Sequence, residues 1–223
     1  MNALNTALQQ TQTTAKETIL SLPHQLKAQL PLSAKLAQQI AEQRQTIQNI
    51  LEGKDHRLMV VTGPCSIHDP ISALEYAQKL QQLQSKVADQ IFLVMRAYIE
   101  KPRTTIGWKG FLYDPNLDGS SNMQLGLEKS RELYLQIIEM GLPIASEILS
   151  PMATAYFDDL LAWRAIGART SESQIHREIS SHMPYSIGFK NGTDGSIQIA
   201  LDAIQSAAHS HEFLGMSQSG FPC

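Results

Sequence analysis

"LMVVTGPCSIHDPISALEYAQKLQQLQSKVADQIFLVMR", Leu58 to Arg96, decides the fold. Two short apolar runs, Leu58–Thr62 and Ile91–Arg96, flank a longer amphipathic stretch, Ile71–Lys86. Apolar runs of this length suit strands buried on both faces, and the stretch between them suits a helical crossover, so the segment reads as a βαβ unit. The texture then repeats. Candidate strands follow at Pro143–Ile148, Ala165–Arg169, Ser186–Lys190 and Glu212–Met216, and candidate helices at Gln124–Met140, Ala153–Ala162, Glu172–His182 and Ser196–His209. Six strands and five helices in this alternation predict an α/β fold with right-handed parallel crossovers. An open doubly wound sheet fits that count as it stands. A closed barrel needs eight units and about 250 residues, so a barrel here is incomplete.

Upstream, Leu36, Ile40, Ile47, Ile50 and Leu51 recur at helical spacing between a Ser33 N-cap and Gly53, which predicts an amphipathic helix. Residues 1 to about 32 are rich in Gln and Thr and punctuated by Pro23 and Pro31, and are expected to form a partly ordered arm. The expected division is therefore 1–54, arm and helix, and 55–223, a partial β/α barrel.

With 43% hydrophobic and 17% charged residues, the chain has an ordinary globular composition, and a formal charge of −3 gives no reason to expect nucleic acid or an acidic membrane as partner. Two cysteines, one of them the last residue, make no disulfide framework and point to a reducing cytoplasm. No apolar run approaches the roughly 18 residues of a membrane span, and the first 30 residues lack the apolar core of a signal peptide.

In either α/β architecture the site lies at the C-terminal ends of the strands. The segments there are "GPCSIHD", "RAYIEKPRTTIGWKG", "SEILSP", "ARTSESQIHRE" and "KNGTDGS". The second gathers Arg96, Lys101, Arg103 and Lys109 against a single acid, Glu100. On its own this could be a solvated basic loop. Arg169 and Lys190, each at its own strand end, add cations aimed at the same mouth, and the implied ligand is polyanionic, Arg offering bidentate contacts and Lys a point charge. The turns Asn191-Gly192 and Asp194-Gly195 precede a helix whose first amides could favour an anion.

Glu147 sits inside an otherwise apolar strand, where an unpaired carboxylate is costly. Orienting a neighbouring Arg or Lys is preferred for it over acting as a base. His68 and His176 lack paired ligand spacing and are expected to be structural. Cys65 can be a nucleophile, a packing residue or a soft metal ligand, and the first is weakest because no general base lies near it in sequence.

"GPCSIHDP", "MRAYIEKPRTTIGWKG", "GARTSESQIHRE" and "GFKNGTDGSI" together resemble the type I 3-deoxy-D-arabino-heptulosonate-7-phosphate (DAHP) synthases. The resemblance runs from about Gly53 to about Met216. It implies a TIM barrel with an N-terminal helical extension and a metal-dependent, aldol-like condensation of phosphoenolpyruvate with D-erythrose 4-phosphate, the first step of aromatic amino-acid biosynthesis. By the family pattern Arg96, Arg169 and Lys190 bind phosphoenolpyruvate, with the Gly167-Ala168 backbone beside it and Lys109 close by. Lys101, Pro102, Arg103 and Thr104 bind erythrose 4-phosphate. Lys101, Glu147 and Lys190 carry the catalytic roles, and Cys65 is one ligand of a divalent ion such as Mn²⁺ or Fe²⁺. The family's two further βα units supply a His, a Glu and an Asp that complete the metal site, and another phosphate-binding Arg. This chain is therefore expected to be a fragment, a truncated product or a chain completed by another polypeptide. The resemblance also implies a homo-oligomer in the cytoplasm and an aromatic amino acid as possible effector.

Overall fold

The computed structural model describes residues 17–223, so the first half of the expected arm lies outside the described residues. Five strands form one sheet: β1 Leu58–Thr62, β2 Ile91–Arg96, β3 Ile144–Ile148, β4 Trp163–Ile166 and β5 Ile187–Phe189. Their spatial order is β1-β2-β3-β4-β5 and every pair is parallel. A doubly wound sheet reverses its order at a switch point, whereas a barrel adds each strand beside the last. The sequential order is that of a barrel, and the sheet is an open half of one.

The helices are α1 Pro23–Gln29, α2 Ala34–Leu51, α3 Pro70–Val87, α4 Met123–Glu139, α5 Thr154–Phe157, α6 Gln174–Ser181 and α7 Gln198–Ala207. Local chemistry starts several of them. The Asp69 carboxylate accepts from the Ile71 and Ser72 amides, Pro70 occupies the first turn of α3, and Ser33 and Asn122 cap α2 and α4 in the same way. α3 then buries Ala73, Ala77 and Leu80, one narrow stripe against the sheet.

The middle strands β2, β3 and β4 are buried on both faces, whereas β1 and β5 at the open edges are only partly buried. Leu93 and Met95 pack with Ala77, Leu80, Leu133 and Ile137 of the flanking helices, while Phe92 and Val94 pack with Ile47 of α2. Burying each of the larger of these side chains contributes about 1.5–3 kcal/mol. α2 seals the end of the sheet where the strands begin. Arg44 donates to Leu161 O (2.9 Å) and Asp158 O (2.6 Å), and Gln43 to Gly141 O (3.1 Å). With that end closed, the opposite, C-terminal end is left for ligands. No helix among the described residues is long and apolar enough to cross a membrane.

Three expectations need correction. Glu212–Met216 is not a sixth strand. Gly215, Ser217 and their neighbours pair antiparallel with Phe221–Cys223 and make only an isolated bridge, Met216–Pro222, because Gly and Ser interrupt the apolar run and the segment folds on itself. β4 begins two residues before the expected Ala165 and ends at Ile166; the Gly167 carbonyl accepts from the Thr170 and Ser171 amides, and this turn carries Arg169 beyond the strand. The expected helix Ala153–Ala162 is a 3-10 turn, Pro151–Ala153, and the single turn α5. Thr154, Ala155, Tyr156 and Phe157 are all buried there, and four consecutive residues cannot share one helical stripe. Within the arm, residues 23–29 form α1, tied down by Lys27 at 2.6 Å from Asp158.

Candidate active site

The first strand end is built around Gly63. Its φ is +136°, and a Cβ there would lie 2.5 Å from the Arg96 carbonyl oxygen, so only glycine lets β1 and β2 deliver their ends this closely. The Gly63 carbonyl accepts from Arg96 Nε (2.8 Å) and Nη2 (2.6 Å), which orients the guanidinium over the mouth. Two residues on, Cys65 is exposed, with Lys101 Nζ 3.7 Å from its Sγ.

The loop after β2 folds back on itself. Lys101 N donates to Lys109 O (2.8 Å), Arg103 Nε to Trp108 O (2.7 Å) and Trp108 Nε1 to Asp114 O (2.8 Å). Pro102 is half-buried; Arg103, Thr104 and Lys109 are exposed. The tip meets the turn after β4, where Arg169 Nη2 donates to Thr104 Oγ1 at 3.2 Å. Residues that the resemblance gives to two different substrates thus touch.

On the other side of the mouth Lys190 Nζ lies 2.9 Å from Glu147 Oε2. Glu147 is buried, and a Cβ on Gly167 would sit 2.5 Å from its Oε1, so the bare Gly167 backbone makes room for the carboxylate beneath the exposed cation. Ser171 Oγ donates to Lys190 O (2.7 Å), and Ala168 is half-buried between these anchors. Burial works against the Lys190 charge, but the hydrogen bond and charge of Glu147, with Tyr98 nearby, outweigh it and hold the ammonium above the ordinary lysine value.

Arg96, Lys101, Arg103, Arg169 and Lys190 therefore gather at one end of the sheet, supported by a single close carboxylate. Lys109 joins them only through its backbone. In the glycine turn after β5 three amides are spent within the turn itself: Gly192 N donates to Ser196 O, Gly195 N to Gly192 O and Ser196 N to Asp194 Oδ1. His176 is buried, its ring nitrogens 2.8 Å from Ser173 Oγ and 3.0 Å from Leu149 O, and His68 is exposed.

Two residues of the site went unread in the sequence. Tyr98 looks like a strand continuation, yet its ring stands among the cations. Glu100 looks like the counter-charge of the basic loop, yet it is 6% exposed, accepting from Tyr113 Oη (3.3 Å) and Ser150 N (3.4 Å). Burial pushes its carboxyl up to about 7, against the pull of the Ser150 amide and the Arg164 guanidinium. Arg164 is itself buried, with Nε unpartnered beside the small cavity that Glu100 and Glu147 also line. No sequence pattern marks Glu100, because its neighbours Tyr113, Ser150 and Arg164 lie 13 to 64 positions away, and none links Tyr98 to Lys190, 92 positions on.

The residues present do not fit a complete metal site. Among the described residues no group of three or more His, Cys, Asp or Glu is placed to hold an ion, and at the mouth Cys65 is the residue that the resemblance makes a ligand. A separate cavity of about 780 Å³ lies behind α6, lined by Met152, Ile179, His182, Met183, Phe213 and Leu214, and shares none of the mouth residues.

Residues 31–222 match the model of the DAHP synthetase I family. The chain is 52% identical over 204 residues to the Tyr-sensitive phospho-2-dehydro-3-deoxyheptonate aldolase of Escherichia coli, covering 92% of this chain and 57% of that protein. It is 49% identical over 207 residues to the Trp-sensitive enzyme of Enterobacter agglomerans, covering 93% and 60% respectively. The phenylalanine-inhibited enzyme of Saccharomyces cerevisiae is 46% identical over 201 residues, covering 90% and 54%. A solved phospho-2-dehydro-3-deoxyheptonate aldolase from Francisella tularensis superposes with a TM-score of 0.91 at 47% identity, covering 94% of this chain and 61% of that one. The chain thus spans between half and two thirds of the length of these relatives. A match across nearly the whole sheet, cation mouth and capping helix has one meaning: the chain belongs to the DAHP synthetase I family.

Proposed function

We propose that this chain carries the anion-binding half of the active site of a 3-deoxy-7-phosphoheptulonate synthase, which condenses phosphoenolpyruvate with D-erythrose 4-phosphate to DAHP and inorganic phosphate. The observation that carries the reading is the convergence of Arg96, Lys101, Arg103, Arg169 and Lys190 at one end of a sheet in a chain of net charge −3. The reaction joins C3 of phosphoenolpyruvate to the aldehyde carbon, water adds at C2, and phosphate leaves by C–O cleavage. Two phosphates and a carboxylate must be held together, and repulsion among them is what such a cation set offsets. Arg96, Arg169 and Lys190, with Gly167 and Ala168 beside them and Lys109 near, are assigned to phosphoenolpyruvate. Lys101, Pro102, Arg103 and Thr104 are assigned to erythrose 4-phosphate. Glu147 keeps Lys190 protonated and oriented; Lys101 and Lys190 hold the developing charge.

The divalent ion of the family would polarise the aldehyde, and this chain offers it one ligand, Cys65. The cation mouth taken by itself also supports a second reading, a phosphate-binding or regulatory module without turnover. Incubating the 223-residue chain with both substrates and Mn²⁺ and measuring phosphate release separates the two. Release that a chelator abolishes supports the synthase. Phosphoenolpyruvate binding without release supports the module, and neither one refutes both.

Relatives named Tyr-sensitive, Trp-sensitive and phenylalanine-inhibited support an aromatic amino acid as effector here too. The apolar cavity behind α6 has the size and lining for such a ring. A cytoplasmic location, a homo-oligomeric state and the division into 1–54 and 55–223 complete the proposal.

A further inference from the structure

Tyr98 lies two residues past β2 with 6% of its surface exposed. Lys190 Nζ is 5.0 Å from its ring centroid and Arg96 Cζ is 5.9 Å from it, so two cations from strand ends β2 and β5 share one aromatic ring. Its backbone is equally committed: Ile67 N donates to Tyr98 O (2.9 Å), and Tyr98 N reaches Pro64 O (3.5 Å), which ties the ring to the loop bearing Cys65.

We infer that Tyr98 is a positioning residue of the anion mouth, its buried ring seating the Arg96 and Lys190 cations side by side without neutralising either. Two like charges brought to one ligand repel each other, and something must hold them before the ligand arrives. A second carboxylate would do so at the expense of the charge the ligand needs; Lys190 already shares Glu147. The negative face of an aromatic ring attracts both cations and carries no net charge, so the mouth keeps its full positive potential. The inference rests on the proposal that these cations bind a phosphate-and-carboxylate ligand.

The test compares Tyr98→Phe and Tyr98→Leu in the 223-residue chain, with two readouts. Isothermal titration with phosphoenolpyruvate should show Tyr98→Leu binding about tenfold more weakly, the loss of one to two cation–π contacts, and Tyr98→Phe within about twofold of the original. NMR of the Lys190 side chain should show its methylene signals shifted upfield by the ring in the original and in Tyr98→Phe, and returned to ordinary lysine positions in Tyr98→Leu. Equal loss in both variants, or loss in neither, overturns the inference. If the original chain binds no phosphoenolpyruvate, the functional proposal fails, and the Lys190 signal alone decides the role of Tyr98: an unshifted signal overturns it. Where Tyr98→Leu does not fold, Tyr98→Met takes its place.

Discussion

Glu100→Gln keeps the shape of a buried side chain and removes its charge, and it should stabilise the chain progressively as pH rises from about 5 to 8. The carboxyl is pushed to about 7 in the folded state from an ordinary 4.5, chiefly by burial. Between those values the folded chain holds a proton that the unfolded chain releases, so stability falls with rising pH. Below the lower value the penalty is absent, and above the higher one it is complete. A gap of about 2.5 pH units at ~1.4 kcal/mol each amounts to ~3 kcal/mol at pH 8. The glutamine amide can still accept from Tyr113 Oη or Ser150 N, but its own N–H groups need partners, a constant cost of about 1–2 kcal/mol at every pH. The pH-dependent part is therefore the diagnostic quantity. Urea unfolding followed by circular dichroism at half-unit steps would give the difference between variant and original, expected to climb by about 2–3 kcal/mol between pH 5 and 8 and then level. A difference that stays flat across that range, or falls, refutes the claim that Glu100 is charged at the expense of folding.

Three further outcomes follow from the packing. Gly167→Ala puts a methyl against Glu147 Oε1, displacing the carboxylate from Lys190, and should cost about 1–3 kcal/mol in urea unfolding; an unshifted midpoint would mean the β4 turn yields freely. Arg131 is 0% exposed and spends its guanidinium on Asp159 (2.7 and 2.9 Å), Leu30 O and Tyr156 O, so Arg131→Ala should destabilise by about 3–5 kcal/mol, and a loss below 1 would contradict the assignment. Titration with Co²⁺ should give a thiolate charge-transfer band that Cys65→Ser abolishes and Cys223→Ser leaves in place; a band that survives in Cys65→Ser removes Cys65 as a ligand.

Much of the fold was legible because parallel strands covered on both faces are written as local apolar runs. Leu58–Thr62 and Ile91–Arg96 agree with the strands residue for residue, and Ser33 caps its helix as expected. Where burial is not periodic, legibility failed. The residues around Tyr156 and Phe157 are buried on all sides and form one turn in place of a helix, and the apolar run near Phe213 folds on itself instead of joining the sheet. Arg131 looks like an ordinary surface cation on α4 and is wholly buried, because its partners Leu30, Tyr156 and Asp159 come from other elements.

By itself the sequence determined the parallel β/α alternation, the capped helices and the row of cations after the strands, since each depends on neighbours within about one turn or one strand. Tertiary structure alone decided that the strands add in sequential order, that Thr104 meets Arg169 and Lys190 meets Glu147, and that Tyr98 and Glu100 belong to the site. Those contacts join residues 43 to 92 positions apart, and which distant residues meet is set by how the strand ends converge, a property of the packing of the whole sheet that no local pattern encodes.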